Sequence, residues 1–322
     1  SNSKYLNTSK TRFTLTEEQV IGRAKELKRL TQKLQNSNEL VLISGLGGIG
    51  KTTLATYYLS QHQSDYDHIG WISCTGDFKN DVLLSLNALP KSESTDLEVQ
   101  FREHLQTLQG LKGNNILVID NINTQSEAEE VLQYKDAFPS HFKLLMTARV
   151  NLQGFPTHQI GVLDKADAQD LFKKHYDFRA GDTDDQLTEL LQHIGRHTLV
   201  IEMLAKGMEA SGRLNLARML QRIAAQGIQS IKVAASTERS QHQSRPLNEF
   251  VAFVFELSLQ DIAAENWILL QQLALLPPLA HEFDLVAYLL GRDEANQQDD
   301  LDGQLSTLQR KGLIDYEKEQ IS

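Results

Sequence analysis

The stretch from Leu40 to Thr53, LVLISGLGGIGKTT, decides the fold. It opens with a short apolar run typical of a buried strand, and the residues from Lys51 onward can continue as a helix. Between the two, Gly45 to Thr52 satisfies the pattern G-x-x-x-x-G-K-[ST]. Glycines in such a loop let backbone N–H groups point at a polyphosphate held at the positive end of a helix. The stretch therefore predicts a strand, a phosphate-binding loop and a helix.

Side chains in and after this loop supply the chemistry that a polyphosphate site needs. Lys51 is expected to pair with the β- and γ-phosphates, and the Thr52 hydroxyl to join the coordination of Mg²⁺. A second buried-strand run, Ile116–Ile119, ends in Asp120, an acid that can hold the magnesium water shell at the carboxyl end of a parallel strand. The alternative for Asp120 is a helix-capping carboxylate that merely follows a strand.

Two further positions indicate how the site treats the γ-phosphate and water. Arg149 stands at the end of the strand run Phe142–Thr147 and can bind a γ-phosphate through two hydrogen bonds, although it can equally be an ordinary surface arginine. Asn121 follows Asp120, and its side chain can hydrogen-bond a water but cannot accept the water's proton. If Asn121 stands at the water-handling position, hydrolysis is expected to be slow.

The pattern of apolar residues divides the chain into regions of different architecture. Residues 1–16 are polar and without period, which predicts a flexible arm. Over 17–162, short apolar strands alternate with helical patterns, which predicts parallel βαβ units and an α/β P-loop domain. Over 163–235 the strands stop and apolar residues recur at helical spacing, which predicts an all-helical bundle. A polar stretch at 236–246 predicts a linker, and short helices followed by the start of a hairpin over 247–322 predict a winged-helix domain truncated at its C-terminal end.

Composition limits the function classes that remain open. The chain has 322 residues, with 32 Lys and Arg against 42 Asp and Glu, and the net charge of −10 argues against binding nucleic acid through bulk electrostatics. A single cysteine excludes a disulfide framework and a multi-cysteine zinc site, and it fits a reducing compartment. The apolar runs are too short to span a bilayer and no basic-then-apolar leader opens the chain, so we expect a cytoplasmic protein without a membrane partner.

The motifs occur in a characteristic order: GLGGIGKTT, YDHIGWISC, ILVIDN and LLMTAR, then a helical bundle and a winged-helix-like segment. This order resembles the STAND class of signal-transduction NTPases, and within it the NB-ARC branch of apoptotic ATPases and plant resistance proteins. The resemblance extends from about Val20 to Ile321. It implies an AAA+-like parallel sheet in the P-loop domain, ATP or ADP with Mg²⁺ as cofactors, and a slow ATPase that is used as a switch.

The resemblance also implies site residues that spacing alone does not assign. In this family a hydrophobic-hydrophobic-Gly-Arg element touches the adenine, and Val20-Ile21-Gly22-Arg23 matches it; the alternative for Arg23 is an amphipathic surface arginine at a helix start. Arg149 matches the family's sensor arginine. Thr198, within Gly195–Leu199, stands where the family has the proline of a Gly-x-Pro motif near the base, with a packing role as the alternative. The predicted nucleotide-binding residues are Val20, Ile21, Arg23, Gly45, Gly47, Gly48, Ile49, Gly50, Lys51, Thr52, Thr53 and Thr198; the predicted catalytic residues are Lys51, Asp120 and Arg149; the predicted metal ligands are Thr52 and Asp120.

Two departures from the family pattern carry expectations of their own. Asn121 stands in place of the family's usual second acid, which is consistent with a weak hydrolase. The sequence stops at Ser322, before the histidine with which the family's winged helix normally touches the ADP β-phosphate. We therefore expect the central switch of a longer protein, with an effector upstream and sensor repeats downstream.

Three functional hypotheses remain open. The first is a nucleotide-driven switch of a sensor or innate-immunity protein, closed with ADP and forming a ring-like homo-oligomer with ATP. The second is a DNA-binding regulator that uses the winged helix. The acidic stretch Asp299–Asp302 weighs against it, because a recognition helix that faces phosphates should be basic. The third is a cycling motor or a small-substrate kinase, against which Asn121 weighs because such enzymes place a carboxylate at the water or acceptor.

Overall fold

A computed structural model gives the structure of the chain. It describes residues 4–8, 13–36, 40–150, 152, 154–225, 263–276, 281–292, 294–310, 313–314, 316–317 and 320–321. Contacts between Cα atoms divide the chain into two compact units, 1–161 and 162–322, and each is described by itself. The predicted linker at 236–246 and the start of the predicted winged-helix domain, 247–262, lie outside the described residues, so both stay predictions.

The first unit is built on a parallel sheet. Its strands are β1 Val41–Ser44, β2 His68–Ser73, β3 Asn115–Ile122, β4 Phe142–Ala148 and β5 Thr157–Gln159. They pair in the order β2-β3-β4-β1-β5, and every pair is parallel. The strands β1 and β3 are almost entirely buried, as expected for apolar runs in a sheet that is covered on both faces. All carboxyl ends of the strands therefore meet at one edge of the sheet.

Helices precede or connect these strands. They are α1 Ala24–Asn36, α2 Lys51–His62, α3 Phe78–Ser85, α4 Leu97–Gly110 and α5 Gln125–Tyr134. The side chains of Asp77, Asp96 and Thr124 cap the first turns of α3, α4 and α5. The sequence patterns predict all of these helices except α5. The parallel sheet with its connecting helices confirms the predicted α/β class.

The N-terminal segment packs against the sheet wherever the structure describes it. Tyr5 forms a parallel bridge with Ile69 at the β2 edge. Asn7 is buried, and its side chain donates to the Trp71 carbonyl at 2.7 Å and accepts from the Trp71 N–H at 2.8 Å. Phe13 is also buried, and its ring stacks on that of Trp71 with centroids 5.9 Å apart. The prediction of a flexible arm is therefore wrong for these residues, because they cover an otherwise open sheet edge.

The second unit is mainly helical. Its helices are α6 Lys165–His175, α7 Asp184–His193, α8 Thr198–Ser211, α9 Leu216–Ala225, α10 Ala264–Leu273, α11 Phe283–Leu289 and α12 Ala295–Arg310. The short strands β6 His281–Glu282, β7 Tyr316–Glu317 and β8 Gln320–Ile321 pair antiparallel in the order β6-β8-β7. The last two form the hairpin that the sequence predicts. That this unit comprises a separate bundle and a winged helix stays a prediction.

A core of leucines and small apolar residues joins the last helices of the second unit to its hairpin. The fully or nearly fully buried members are Leu269, Val286, Ala287, Leu301, Leu305, Leu308, Tyr316 and Ile321. Along α12 the leucines recur at helical spacing, which explains why a sequence rich in Asp and Gln here still forms a packed helix. In the described part of the chain, no helix is long and apolar enough to cross a membrane.

Candidate functional site

The glycine-rich loop lies between β1 and α2 at the carboxyl edge of the sheet. Gly48 has φ 69° and Gly50 has φ 101°, both in the left-handed region that glycine adopts without steric cost. Gly50 is the N-cap residue of α2, and no side chain caps the helix there. The first turn of a helix carries N–H groups without intrahelical partners. The start of α2 therefore presents its N–H groups to whatever binds in the loop.

Two other glycines of the loop lie close to neighbouring groups. A Cβ on Gly45 would lie 2.8 Å from the carbonyl oxygen of Ile160, the residue that follows β5. A Cβ on Gly47 would lie 3.1 Å from the guanidinium carbon of Arg149. The loop is thus held against the chain after β5 on one side and against Arg149 on the other.

Lys51 is nearly buried, and its ammonium group lies back on the loop. Its Nζ donates to the carbonyl oxygens of Gly45 at 3.1 Å and Leu46 at 2.8 Å. Burial lowers the pKa of Lys51 to about 8, and the charge of Arg149 acts in the same direction, whereas Asp120 acts against both. Two cations and one carboxylate thus share this region, and the excess positive charge favours an anionic ligand.

Asp120 is buried at the end of β3 and receives two hydroxyl groups on a single oxygen. The Thr52 hydroxyl donates to Asp120 Oδ1 at 2.9 Å, and the Thr147 hydroxyl donates to the same atom at 2.5 Å. Thr52 and Asp120, predicted as metal ligands from sequence positions far apart, are therefore side by side. Hydroxyl and carboxylate oxygens are the ligands that Mg²⁺ takes from proteins. Thr147, which the sequence patterns do not single out, therefore lies beside one of the two predicted metal ligands.

Asn121 has a left-handed backbone, with φ 72°. The β3–β4 pairing shifts its register between Ile119 and Ile122, which makes a bulge at this point. The Asn121 N–H donates to Thr147 Oγ1 at 3.0 Å, and its side-chain amide donates to the carbonyl of Cys74 at 3.1 Å. Asparagine tolerates this conformation better than most residues, so the backbone itself gives a reason for its presence after Asp120.

Arg149 is exposed just beyond the end of β4. Its backbone N–H donates to the Ile122 carbonyl at 2.8 Å, and its guanidinium group lies against Gly47. The structure therefore brings Arg149 together with Lys51 and Asp120, the other two residues predicted to be catalytic. An exposed arginine next to the loop remains able to contact a third phosphate.

Arg23 is a buried residue rather than the surface arginine that the sequence allows as an alternative. Its guanidinium group donates to the carbonyls of Ile49 at 2.8 Å and Gly161 at 3.0 Å, and it pairs with Glu26 at 3.3 Å. The first of these bonds fixes the last part of the glycine-rich loop. Val20, from the same motif, is buried. That this motif touches an adenine stays a prediction.

Two further predicted residues lie at helix starts. Thr53 is exposed in the first turn of α2. Thr198 is the first residue of α8 in the second unit, and the chain reaches it through Gly195 and Arg196, which both have a left-handed backbone with φ 61° and 55°. The contact of Thr198 with a nucleotide stays a prediction. Within the described residues, no group of three or more His, Cys, Asp or Glu side chains could hold a metal ion by itself.

A parallel sheet with a glycine-rich loop, a buried acid and an arginine at one edge defines a P-loop NTPase domain. The family model "NB-ARC domain" matches residues 23–179. These residues are therefore similar to the NB-ARC family, and the match agrees with the STAND-class, NB-ARC resemblance that the motif order indicates.

The chain is also similar to individual known proteins. The chain is 27% identical over 144 residues to "Putative disease resistance protein At1g59780" of Arabidopsis thaliana, an alignment that covers 42% of this chain and 16% of that protein. A STAND protein with a tetratricopeptide repeat sensor, PH0952 from Pyrococcus horikoshii, matches at TM-score 0.52 and 18% identity over 91% of this chain and 40% of that chain. The Walker-type ATPase PABY2304 of Pyrococcus abyssi matches at TM-score 0.48 and 14% identity, over 97% of this chain and 95% of that one. The match to PH0952 shows the fold alone, and the present chain spans less than half the length of the first two proteins.

Proposed function

We propose that the chain is the nucleotide-dependent switch of a signalling protein, and that it binds ATP and ADP with Mg²⁺. The observation that carries this proposal is the convergence of Lys51, Thr52, Asp120 and Arg149 around one glycine-rich loop with an uncapped helix behind it. Each of these groups acts on phosphate or its counter-ion, and the four come from three separate parts of the sequence.

The donor set fits a magnesium nucleotide. The Thr52 hydroxyl and an Asp120 oxygen lie 2.9 Å apart, and a Cβ placed on Gly50 would meet open space within 4 Å. Thr52 would hold the cation directly and Asp120 would orient its water ligands, while Lys51 would move from the loop carbonyls to the phosphates. When bound, Mg²⁺ neutralises phosphate charge and favours attack at the γ-phosphate.

Slow hydrolysis follows from the residue after Asp120. The side-chain amide of Asn121 has no group that accepts a proton from water, and its nitrogen donates a hydrogen bond to the Cys74 carbonyl. A general base normally contributes about 10²–10⁴-fold to such a reaction. We therefore propose that the domain is a slow ATPase. Its signalling function would depend on how long ATP stays bound rather than on how fast ATP is hydrolysed.

The switching step depends on Arg149. This residue lies against Gly47 and is exposed, so it can pair with a γ-phosphate that ADP lacks. A ligand shifts a conformational equilibrium only through its different affinity for the two states, and this pairing provides such a difference. We propose that the ADP form is closed and that the ATP form self-associates into a ring-like homo-oligomer.

Further parts of the full-length protein are proposed from its relatives. PH0952 has a tetratricopeptide repeat sensor, and the Arabidopsis relative is named "Putative disease resistance protein"; both are much longer than this chain. We propose sensor repeats downstream, an effector upstream, a role in defence-type signalling and a cytoplasmic location. A DNA-binding role for the C-terminal region is not favoured, because the first half of α12 carries Asp299, Asp300 and Asp302.

The test compares the oligomeric state of the purified chain with Mg²⁺-ADP and with a non-hydrolysable Mg²⁺-ATP analogue, by light scattering after size exclusion. We expect monomer with ADP and a larger assembly with the ATP analogue. Arg149→Ala should bind both nucleotides yet remain monomeric, since it has lost the γ-phosphate contact. A mass that is the same in both nucleotides for the wild-type chain would contradict the switch.

A further inference from the structure

We propose that Thr147 is a positioning residue for the nucleotide site. It sets the orientation of the Asp120 carboxylate and joins that acid to the strand that leads to Arg149. The inference rests on the proposed binding of a magnesium nucleotide. It concerns a residue of β4 whose role becomes visible only when β4 is paired with β3.

The hydroxyl of Thr147 is fully buried, and it both donates and accepts a hydrogen bond. It donates to Asp120 Oδ1 at 2.5 Å and accepts from the Asn121 N–H at 3.0 Å. A hydroxyl has one proton to donate and lone pairs to accept with, so one small group satisfies a carboxylate and a backbone donor together. Valine has almost the same shape but would leave both of these groups without this partner.

The first consequence concerns the direction of the carboxylate. The hydroxyls of Thr52 and Thr147 approach the same oxygen of Asp120 from α2 and β4, and so they fix the rotation of the group between these elements. The structure records no hydrogen bond from any described residue to Oδ2. This oxygen therefore remains available for the water shell of a cation, which is the role that the proposed function gives to Asp120.

The second consequence concerns the bulge at the end of β3. Asp120 and Asn121 together stand opposite Thr147, between the aligned pairs Ile119–Met146 and Ile122–Ala148. The extra residue of a bulge leaves a backbone N–H outside the regular ladder. Thr147 accepts that N–H, so the side chain that holds the acid also holds the backbone that presents it.

The third consequence links the acid to the sensor arginine. Arg149 comes two residues after Thr147, and its N–H donates to the Ile122 carbonyl just beyond the bulge. The end of β4 thus contacts β3 on both sides of Asn121. A displacement of Arg149 on loss of a γ-phosphate would act on the Asp120 contact through only two intervening peptide bonds.

The experiment measures how strongly Mg²⁺ increases the affinity for ADP and for a non-hydrolysable ATP analogue. Affinities are obtained by titration calorimetry with Mg²⁺ and with EDTA, and their ratio is the readout. We expect Thr147→Val to reduce this ratio by about tenfold, the lower end of the effect of removing an outer-shell partner. Thr147→Ser keeps the hydroxyl and should restore the ratio. A loss of stability alone would not change it.

A matched control exists in the same unit. The Thr75 hydroxyl donates to the buried carboxylate of Asp81 at 2.6 Å, the same chemistry outside the proposed site. Thr75→Val should lower thermal stability and leave the Mg²⁺ ratio unchanged. If Thr147→Val does not fold, Thr147→Cys retains the size with a weak donor and should show the reduced ratio.

The outcomes separate the two proposals. If the wild-type chain binds no adenine nucleotide, the proposed function fails. If the wild-type chain binds nucleotide in a Mg²⁺-dependent way and the valine or cysteine variant keeps the full ratio, the role of Thr147 fails while the proposed function stands. A serine variant with a ratio as low as that of valine would also overturn it.

Discussion

Helices α2 and α5 both begin at the carboxyl edge of the same sheet, yet their first turns are built differently. At the start of α5, Thr124 accepts from the Glu127 N–H at 3.2 Å, and the Glu127 carboxylate accepts from the Thr124 N–H at 3.3 Å. This capping box satisfies donors within the helix. At the start of α2, Gly50 has no side chain, its backbone is left-handed, and Lys51 follows at once.

The difference distinguishes a helix start whose N–H groups are capped by side chains from one whose N–H groups are available to a ligand. Unsatisfied N–H groups and the helix dipole attract an anion, and a nearby cation strengthens the attraction. Side chains cap the start of α5 and likewise the starts of α3 and α4, where Asp77 and Asp96 accept from backbone N–H groups. The start of α2 has no side-chain cap. We expect the uncapped start of α2 to bind the nucleotide, and the capped start of α5 to contribute only to the stability of the fold.

The largest effect is expected from Lys51→Ala. Removing one partner of a close charge pair costs about 2–5 kcal/mol, which weakens nucleotide affinity by a factor of about 30 or more. Titration calorimetry with Mg²⁺-ADP measures it. Circular dichroism should show an unchanged fold, because in the described part of the chain the ammonium group donates its hydrogen bonds to loop carbonyls. An affinity within threefold of wild type would remove Lys51 from the site.

A large effect on turnover is expected from Asn121→Asp, at the residue that follows Asp120 on the way to α5. Aspartate tolerates the left-handed backbone of this position and can accept a proton from water. We expect phosphate release to rise by at least about tenfold, below the range of a well-placed general base. Asn123→Asp adds the same charge two residues on and should not accelerate the reaction. Equal rates for wild type and Asn121→Asp would show that this position does not handle the water.

The start of α2 should also respond to pH. Burial lowers the pKa of Lys51 to about 8 in the free protein, and bound phosphates would raise it again. Nucleotide affinity is therefore fully present below pH 8 and falls as the ammonium group loses its proton above it, by about tenfold at pH 9. Titrations at pH 7, 8 and 9 measure the fall, and two buffers of different ionisation enthalpy measure the proton uptake. A flat profile would contradict the lowered pKa.

The smallest effect is expected from Thr124→Ala, which removes the side-chain cap at the start of α5. Loss of an N-cap costs about 1 kcal/mol of stability, measured as a shift of the first denaturation midpoint. Nucleotide affinity should not change, since the cap has no contact with the glycine-rich loop among the contacts described. A fall in affinity comparable to that of Lys51→Ala would erase the distinction between the two helix starts.

The parts of the fold that sequence predicts are those with local signals. The loop from Gly45 to Lys51 has a fixed pattern, and the buried strands are runs of apolar residues, so both can be read without knowing what they pack against. The strand ends then place Asp120 and Arg149 at the carboxyl edge. This reasoning brings the predicted catalytic residues together, although their roles stay predictions.

The parts that sequence misses depend on distant pairing. Asn7 lies in a polar segment without period, and only its bonds to Trp71 reveal it as part of the sheet edge. Thr147 reads as one more residue of a strand until β4 is aligned with the bulge of β3. Arg23 reads as a surface arginine until the carbonyls of Ile49 and Gly161 are seen beside it. Each needs a partner that no local pattern names.

The central claim is that the uncapped start of α2 holds an adenine nucleotide. The most direct test is to denature the purified chain, identify any released nucleotide by mass spectrometry, and then titrate the stripped chain with Mg²⁺-ADP and Mg²⁺-ATP. We predict a stoichiometric adenine nucleotide with the wild-type and Thr124→Ala chains and none with Lys51→Ala. A wild-type chain that releases no nucleotide and binds neither compound at millimolar concentration would contradict the claim.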